Sequence, residues 1–361
     1  TEAVPPEPGV APSPPPRGTH PEDGSGGIKV LPFYKGETEG IKEVKEAPVK
    51  KTYLSKYLYT VDGSVTGTRF SNLSRLYYDR YRDELYAIDS GNRRFVVIGS
   101  DGVLLYSFTF DDAGLKGYPS SISVNKEGLI YAAEEARISI LDYRGVFKKE
   151  LDLSALPVKT SIQSLAVDDD GRIYIGMVGV LAVMDKNGKF LFEIKPEDGA
   201  GFVNSSKIAV TSRYIYILDP AMFLVYRFAR DGKYISNFGK ISGLAGGFSM
   251  PVDFGVDEKS GLVAVLDINR YAAMFYAPDG EFLYEFGGTT AMPRPNALAL
   301  GSAGTFFVVT VNSGLIRAFQ VLTQDVIEPK PATPAEIPQP IPAVTPAETP
   351  QAIPTETPAG Q

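Results

Sequence analysis

The sequence predicts an all-β fold, a six-bladed β-propeller of four-stranded blades, and three observations predict it. Apolar triplets recur at Leu76-Tyr-Tyr78, Ile122-Ser-Val124, Leu165-Ala-Val167, Ile208-Ala-Val210, Phe254-Gly-Val256 and Leu298-Ala-Leu300, beginning 46, 43, 43, 46 and 44 residues apart. Glycines at Gly102, Gly145, Gly188, Gly232 and Gly280 keep nearly the same period, mostly after Asp or Asn, where a tight hairpin needs positive φ. Between these markers lie runs of about four to six residues rich in Val, Ile, Tyr and Phe, too short and too often broken by Gly, Asp and Asn to be helices. Four strands per unit, repeating every ~44 residues, is the pattern of a propeller blade.

Each unit can be followed in order. After the triplet comes a second run, "LYAI" from Leu85, "LIYAA" from Leu129, "IYIG" from Ile173, "IYIL" from Ile215, "LVAVL" from Leu262 and "FFVV" from Phe306. A third run ends at the turn glycine, and a fourth follows as "VLLYSF", "VFKKEL", "KFLFEI", "KYISNF" and "EFLYEF". The sixth unit stops after its third run, "LIRAFQVL" (Leu315 to Leu322), and the missing fourth strand stands ahead of the first unit as "KYLYTVDG" from Lys56. The N-terminal strand is therefore expected to complete the last blade, which closes the ring and leaves no open sheet edge.

The chain divides into a Pro/Gly-rich arm (1–27), a linker (28–54), the propeller (55–324) and a Pro-rich tail (325–361). The arm is too rich in proline and glycine for helix or sheet. In the tail, prolines from Pro334 to Pro358 recur every four residues, which favours extended polyproline II with a reach of about 3 Å per residue. A flexible spacer, an arm lying along a partner and a glycosylated stalk all fit that composition.

Composition excludes whole classes of chemistry. The chain has no cysteine, which removes disulfides, thiolate nucleophiles, zinc ribbons and covalently attached haem, and its one histidine, His20, lies in the N-terminal arm. Without a histidine in the fold there is no Ser-His-Asp arrangement. The formal net charge of −7 is carried by the arm (−3) and the tail (−4), so the middle of the chain (28–324) is net neutral and offers no basic face for nucleic acid. No apolar run approaches the roughly 18 residues of a membrane helix, so no membrane insertion is expected. The first residue is Thr1, as in a mature exported protein or a trimmed chain, and together with the spacer-like tails it sets the expectation of a secreted, cell-surface or periplasmic protein.

The stretch "ELYAIDSGNRRFVVIGSDG" (84–102) resembles the NHL repeat, and "VAVLDINRYAAMFYAPDG" (263–280) is a second recognisable copy. The resemblance covers residues 55 to 322. Arg94 is repeated as Arg137, but Val180, Leu224 and Ala272 stand at the aligned positions of the next three units, and the absence of tryptophan removes the WD40 signature. The resemblance implies a six-bladed binding platform, and relatives of this kind include accessories of surface assemblies such as extracellular multihaem cytochrome systems. A lyase branch of the family holds zinc through channel histidines, which this chain lacks.

The expected function is therefore a non-enzymatic protein-binding scaffold with no cofactor; the alternative is an enzyme or small-ligand binder using the central channel. Asp89, Arg93 and Arg94 lie in the loop between second and third strands, where an Asp–Arg pair ties loops together or touches a ligand. Asn269 and Tyr271 occupy that loop in the second copy. Two later units replace the polar loop with "GMVGV" and "DPAMF", so Met177, Val178, Met222 and Phe223 are expected to form an apolar docking patch on one face; otherwise they begin the third strands and are buried. The acidic run Asp168 to Gly171 reads as a solvated hairpin turn rather than a calcium loop. Glu134 and Glu135 read as solvated loop acids.

Overall fold

A computed structural model of the chain describes residues 49–64, 67–196, 201–311 and 314–327. The N-terminal arm, most of the linker and the tail beyond Ile327 lie outside the described residues, and the expectations placed on them with them.

The first strand, β1 (Val49–Val61), is the outermost strand of the last blade. Blade I is β2 (Leu73–Asp79), β3 (Glu84–Asp89), β4 (Arg94–Gly99) and β5 (Leu104–Thr109). Blade II is β6 (Ser121–Val124), β7 (Ile130–Glu134), β8 (Arg137–Leu141) and β9 (Phe147–Glu150). Blade III is β10 (Ser164–Val167), β11 (Ile173–Met177), β12 (Val180–Met184) and β13 (Phe190–Ile194). Blade IV is β14 (Lys207–Val210), β15 (Tyr214–Asp219), β16 (Leu224–Ala229) and β17 (Tyr234–Phe238). Blade V is β18 (Pro251–Val256), β19 (Val263–Asp267), β20 (Ala272–Tyr276) and β21 (Phe282–Gly287), and blade VI is β22 (Pro295–Leu300), β23 (Thr305–Thr310) and β24 (Leu315–Ile327), completed by β1.

Every sheet is an antiparallel meander, and the ring closes as the sequence leads one to expect. β1 pairs with β24 from Val49 opposite Ile327 to Val61 opposite Ile316, with one irregularity between Tyr57 and Tyr59. The two strands run beyond residues 55 and 324, where the propeller was expected to begin and end.

The six apolar triplets fall in the innermost strands. Leu76, Ile122, Leu165, Ile208, Phe254 and Leu298 are all buried, and each of the six joints between neighbouring blades has its own apolar cluster. The joint of blades IV and V, for instance, packs Leu218 and Phe238 against Phe254 and Met274. The turn glycines Gly102, Gly145, Gly188, Gly232 and Gly280 have φ between 84° and 95°. A Cβ on Gly145 would also lie 2.2 Å from the Phe108 ring of the preceding blade, so this turn needs glycine for space as well as for φ.

The strand directions define two ends of the ring. Turns from first to second strands surround one end, called here the mouth. Loops from second to third strands, and the connections between blades, surround the other, the base. No helix among the described residues is long and apolar enough to cross a membrane.

Candidate functional site

At the base, the last residue of the second strand has a repeated task. Asp89 accepts from the Ser71 backbone N–H at 2.8 Å and pairs with Arg94 at 2.8 Å. Asp219 accepts from Val203 (2.6 Å) and Asn204 (3.0 Å) through one oxygen and from Ala221 (2.9 Å) and Met222 (3.3 Å) through the other. Asp267 holds Ser249 at 2.6 Å and Met250 at 2.8 Å, and Glu134 holds Lys116 and Gly117. Each buried carboxylate thus pins the chain arriving from the preceding blade. A carboxylate suits the task because its two oxygens satisfy several backbone donors at once.

"DSGNRR" is largely such a pin. Arg94 also donates to the Thr68 carbonyl at 2.7 Å, and Asn92 to that of Arg69 at 2.8 Å. Arg93 is in the left-handed conformation, with its guanidinium over the rings of Phe110 and Tyr118. Glu134 is buried and bonded rather than solvated as expected, whereas Glu135 is exposed.

The apolar residues expected at a docking patch separate. Met177 is fully buried, which corrects its placement on the surface: it stands at the end of β11, where other blades carry the pinning carboxylate, and packs between blades II and III. Phe223 is half-buried against the core of the next joint, in the left-handed conformation that precedes the third strand. Val178 (58% exposed) and Met222 (42%) do face solvent. Asn269 is exposed, with its amide 3.5 Å from the Ser249 hydroxyl, and Tyr271 is half-buried, at φ 55°.

Four further exposed apolar side chains join Val178 and Met222 along the base of blades III to V: Val203, Ile241, Leu244 and Met250. They follow successive connections and are held in two groups. Val178 bridges Asn204, Gly179 donates to the Val203 carbonyl at 3.0 Å, and Asp219 binds both Val203 and Met222. Ile241 bridges Phe248, and Arg270 donates to the Gly243 carbonyl at 3.0 Å, beside Leu244. The four lie in connections between blades, which have no fixed place in the repeat and so escaped the sequence reading.

The central channel holds a second candidate. The residue just before each triplet is Arg75, Ser121, Ser164, Lys207, Asp253 or Ala297, one from each blade. Lys207 pairs with the buried Asp253 at 2.9 Å and reaches across the ring to the Leu76 carbonyl at 3.5 Å. Asp253 also accepts from the Leu298 and Phe254 N–H groups, both at 2.9 Å. Burial holds the Lys207 ammonium below the usual lysine range; Asp253 pulls it back up and Arg75 pushes it further down. Arg75 donates its Nε to the Ser120 carbonyl at 3.1 Å and has no ion pair among the described residues.

Arg75, Ser121 and Lys207 of this column line a cavity of about 400 Å³. Its walls include Tyr77, Ser123, Ala166, Ala209, Gly255 and Ala299. At the mouth, Arg80 of blade I reaches over to Asp169 of blade III and to Glu258 of blade V, the latter at 3.0 Å, and Tyr81 donates to Asp169. The run Asp168 to Gly171 is a hairpin turn, as expected, but not simply a solvated one. Asp168 is buried, accepts from Asp170 and Arg172 and pairs with Arg230. Among the described residues no group of three or more His, Cys, Asp or Glu is placed to hold a metal ion.

No family model matches this chain, and no curated protein does. Among solved structures it is similar to the crystal structure of the Myceliophteria thermophila Cps50 (Swd1) beta-propeller domain, with a TM-score of 0.56 and 10% identity over 74% of this chain and 100% of that one. At that identity the likeness shows the fold alone.

Proposed function

We propose that this propeller is a non-enzymatic protein-docking platform of the NHL type whose partner rests on the base of blades III to V. The observation that carries the reading is the arc of Val178, Val203, Met222, Ile241, Leu244 and Met250, whose exposures run from 42% to 75%. Large apolar side chains gathered in this way lower the cost of association, because covering them removes apolar area from water at about 25 cal/mol per Å². The carboxylate pins beneath hold the connections in place before a partner arrives, which reduces the ordering that binding must impose. Methionine at two of the six positions lets the surface adapt to the partner's shape.

A non-enzymatic role is supported by the sequence, which puts neither histidine nor cysteine in the propeller. The NHL resemblance and the spacer-like tails extend the proposal to a secreted, cell-surface or periplasmic location, within a larger surface assembly such as an extracellular multihaem cytochrome system. Fractionation of the native source tests the location.

The docking surface is tested by crosslinking and mass spectrometry in that source, comparing the wild type with a Met222→Asp/Leu244→Asp variant whose melting curve is unchanged. A protein crosslinked to the wild type should fall at least tenfold in the variant; equal recovery would remove the arc from the reading.

A further inference from the structure

We propose that the chamber at the centre of the ring is a binding site for a small organic monoanion, a carboxylate seated on Arg75 and Lys207. The inference is independent of the docking surface, which lies outside the channel.

The charge at the floor is unbalanced. Arg75 and Lys207 bring two positive charges, and Asp253 answers only one, pairing with Lys207 at 2.9 Å. Arg75 lines the chamber and has no ion pair among the described residues. Buried or half-buried cations ordinarily find an anion, and here the space where one would sit is the cavity itself. A single surplus positive charge fits a monoanion better than a divalent phosphate. Arg75 offers the planar donor fork that matches a carboxylate, while Lys207 adds a point charge from the opposite blade. An anion beside the Lys207 ammonium would also offset the burial and the Arg75 repulsion that now weaken its hold on the proton.

The volume of about 400 Å³ lies in the range of small-ligand pockets. The walls above the floor are built largely from small residues, Ala166, Ala209, Gly255 and Ala299, which leaves room for an apolar body behind the carboxylate. Access from the mouth requires Arg80 to swing away from Asp169 and Glu258. These side chains are 32%, 51% and 26% exposed, so the pairs are of the solvated kind that separate readily.

The test is isothermal titration calorimetry of the full chain at neutral pH and low salt with benzoate, its neutral counterpart benzyl alcohol, and inorganic phosphate. Benzoate should bind at least tenfold more tightly than either of the others, and Arg75→Gln should weaken benzoate at least tenfold while leaving benzyl alcohol unchanged. Ala209→Leu, which fills the chamber without touching a charge, should abolish benzoate binding and stands in if Arg75→Gln does not fold. Benzyl alcohol binding as tightly as benzoate would overturn the proposal by reducing the chamber to an apolar hole. Phosphate binding more tightly than benzoate would overturn the monoanion class, and benzoate binding unchanged in both variants would put the ligand elsewhere.

Discussion

The two ends of the channel are held by different chemistry. At the base, buried carboxylates such as Asp219 and Asp267 grip backbone N–H groups of the arriving connections. Across the channel opening at the mouth, Arg80 links blades that are not neighbours through Asp169 and Glu258, side chains that water reaches, while the buried Asp168–Arg230 pair joins the neighbouring blades III and IV. A buried acceptor removed from its donors costs the full desolvation of each, whereas an exposed ion pair exchanges its partner for water at little cost. The base should therefore be stiff and the Arg80 bridge over the mouth adjustable, which suits a preformed surface at one end and an opening at the other.

Mutations at the two ends should differ accordingly. The largest effect is expected at the channel floor: Lys207→Met leaves the Asp253 carboxylate buried without its cation and should cost about 3–5 kcal/mol in chemical unfolding. Adding Asp253→Asn should restore most of that loss; no restoration would show that Lys207 acts through packing. The same residue gives a pH signature. Its folded pKa lies below the ordinary 10.5, so between the two values the unfolded chain binds more protons and stability rises with pH. That rise should disappear in the double variant.

Next is Asp219→Ala, which strips the acceptor from four backbone N–H groups and should cost about 2–3 kcal/mol. A loss no greater than that of a mouth variant would erase the distinction between the ends. Gly145→Ala should cost about 1–2 kcal/mol, because φ is 84° there and the new methyl meets Phe108; it tests how far the fit between blades I and II depends on shape. The smallest effect is expected for Arg80→Ala, below ~1 kcal/mol and shrinking further at high salt. If the Arg80 change unfolds the protein, the mouth is as fixed as the base.

The strand order and the closing strand were legible because both depend on the period alone, which survives changes in individual residues. The pinning carboxylate was also visible, as the Asp of "LYAID", "IYILD" and "VAVLD", although its grip on the neighbouring connection was not. Met177 was misplaced because "GMVGV" was matched to "DSGNR" by loop character. Counting along the strand instead puts Met177 at the position of Asp89, where the side chain turns inward. The channel floor left a signal in the column before each triplet, where Arg, Lys and Asp stand in three of the six units. Within any one unit that residue looks like an ordinary strand flank. Only closure of the ring sets blade I opposite blade IV and brings Lys207 to the Leu76 carbonyl.

The pairing of β1 with β24 also decides how the molecule would respond to force. Val49 lies opposite Ile327, so the described chain enters and leaves at the same end of one strand pair, on the mouth side of the ring. Tension drawn between these two points would load the twelve paired positions as a zipper, one rung at a time from Val49–Ile327 toward Val61–Ile316, rather than as a sheared ladder that resists with all its bonds together. Tension between Val49 and the base would load the same strand in shear. The closing blade would thus yield first when pulled by both ends and hold when pulled by one.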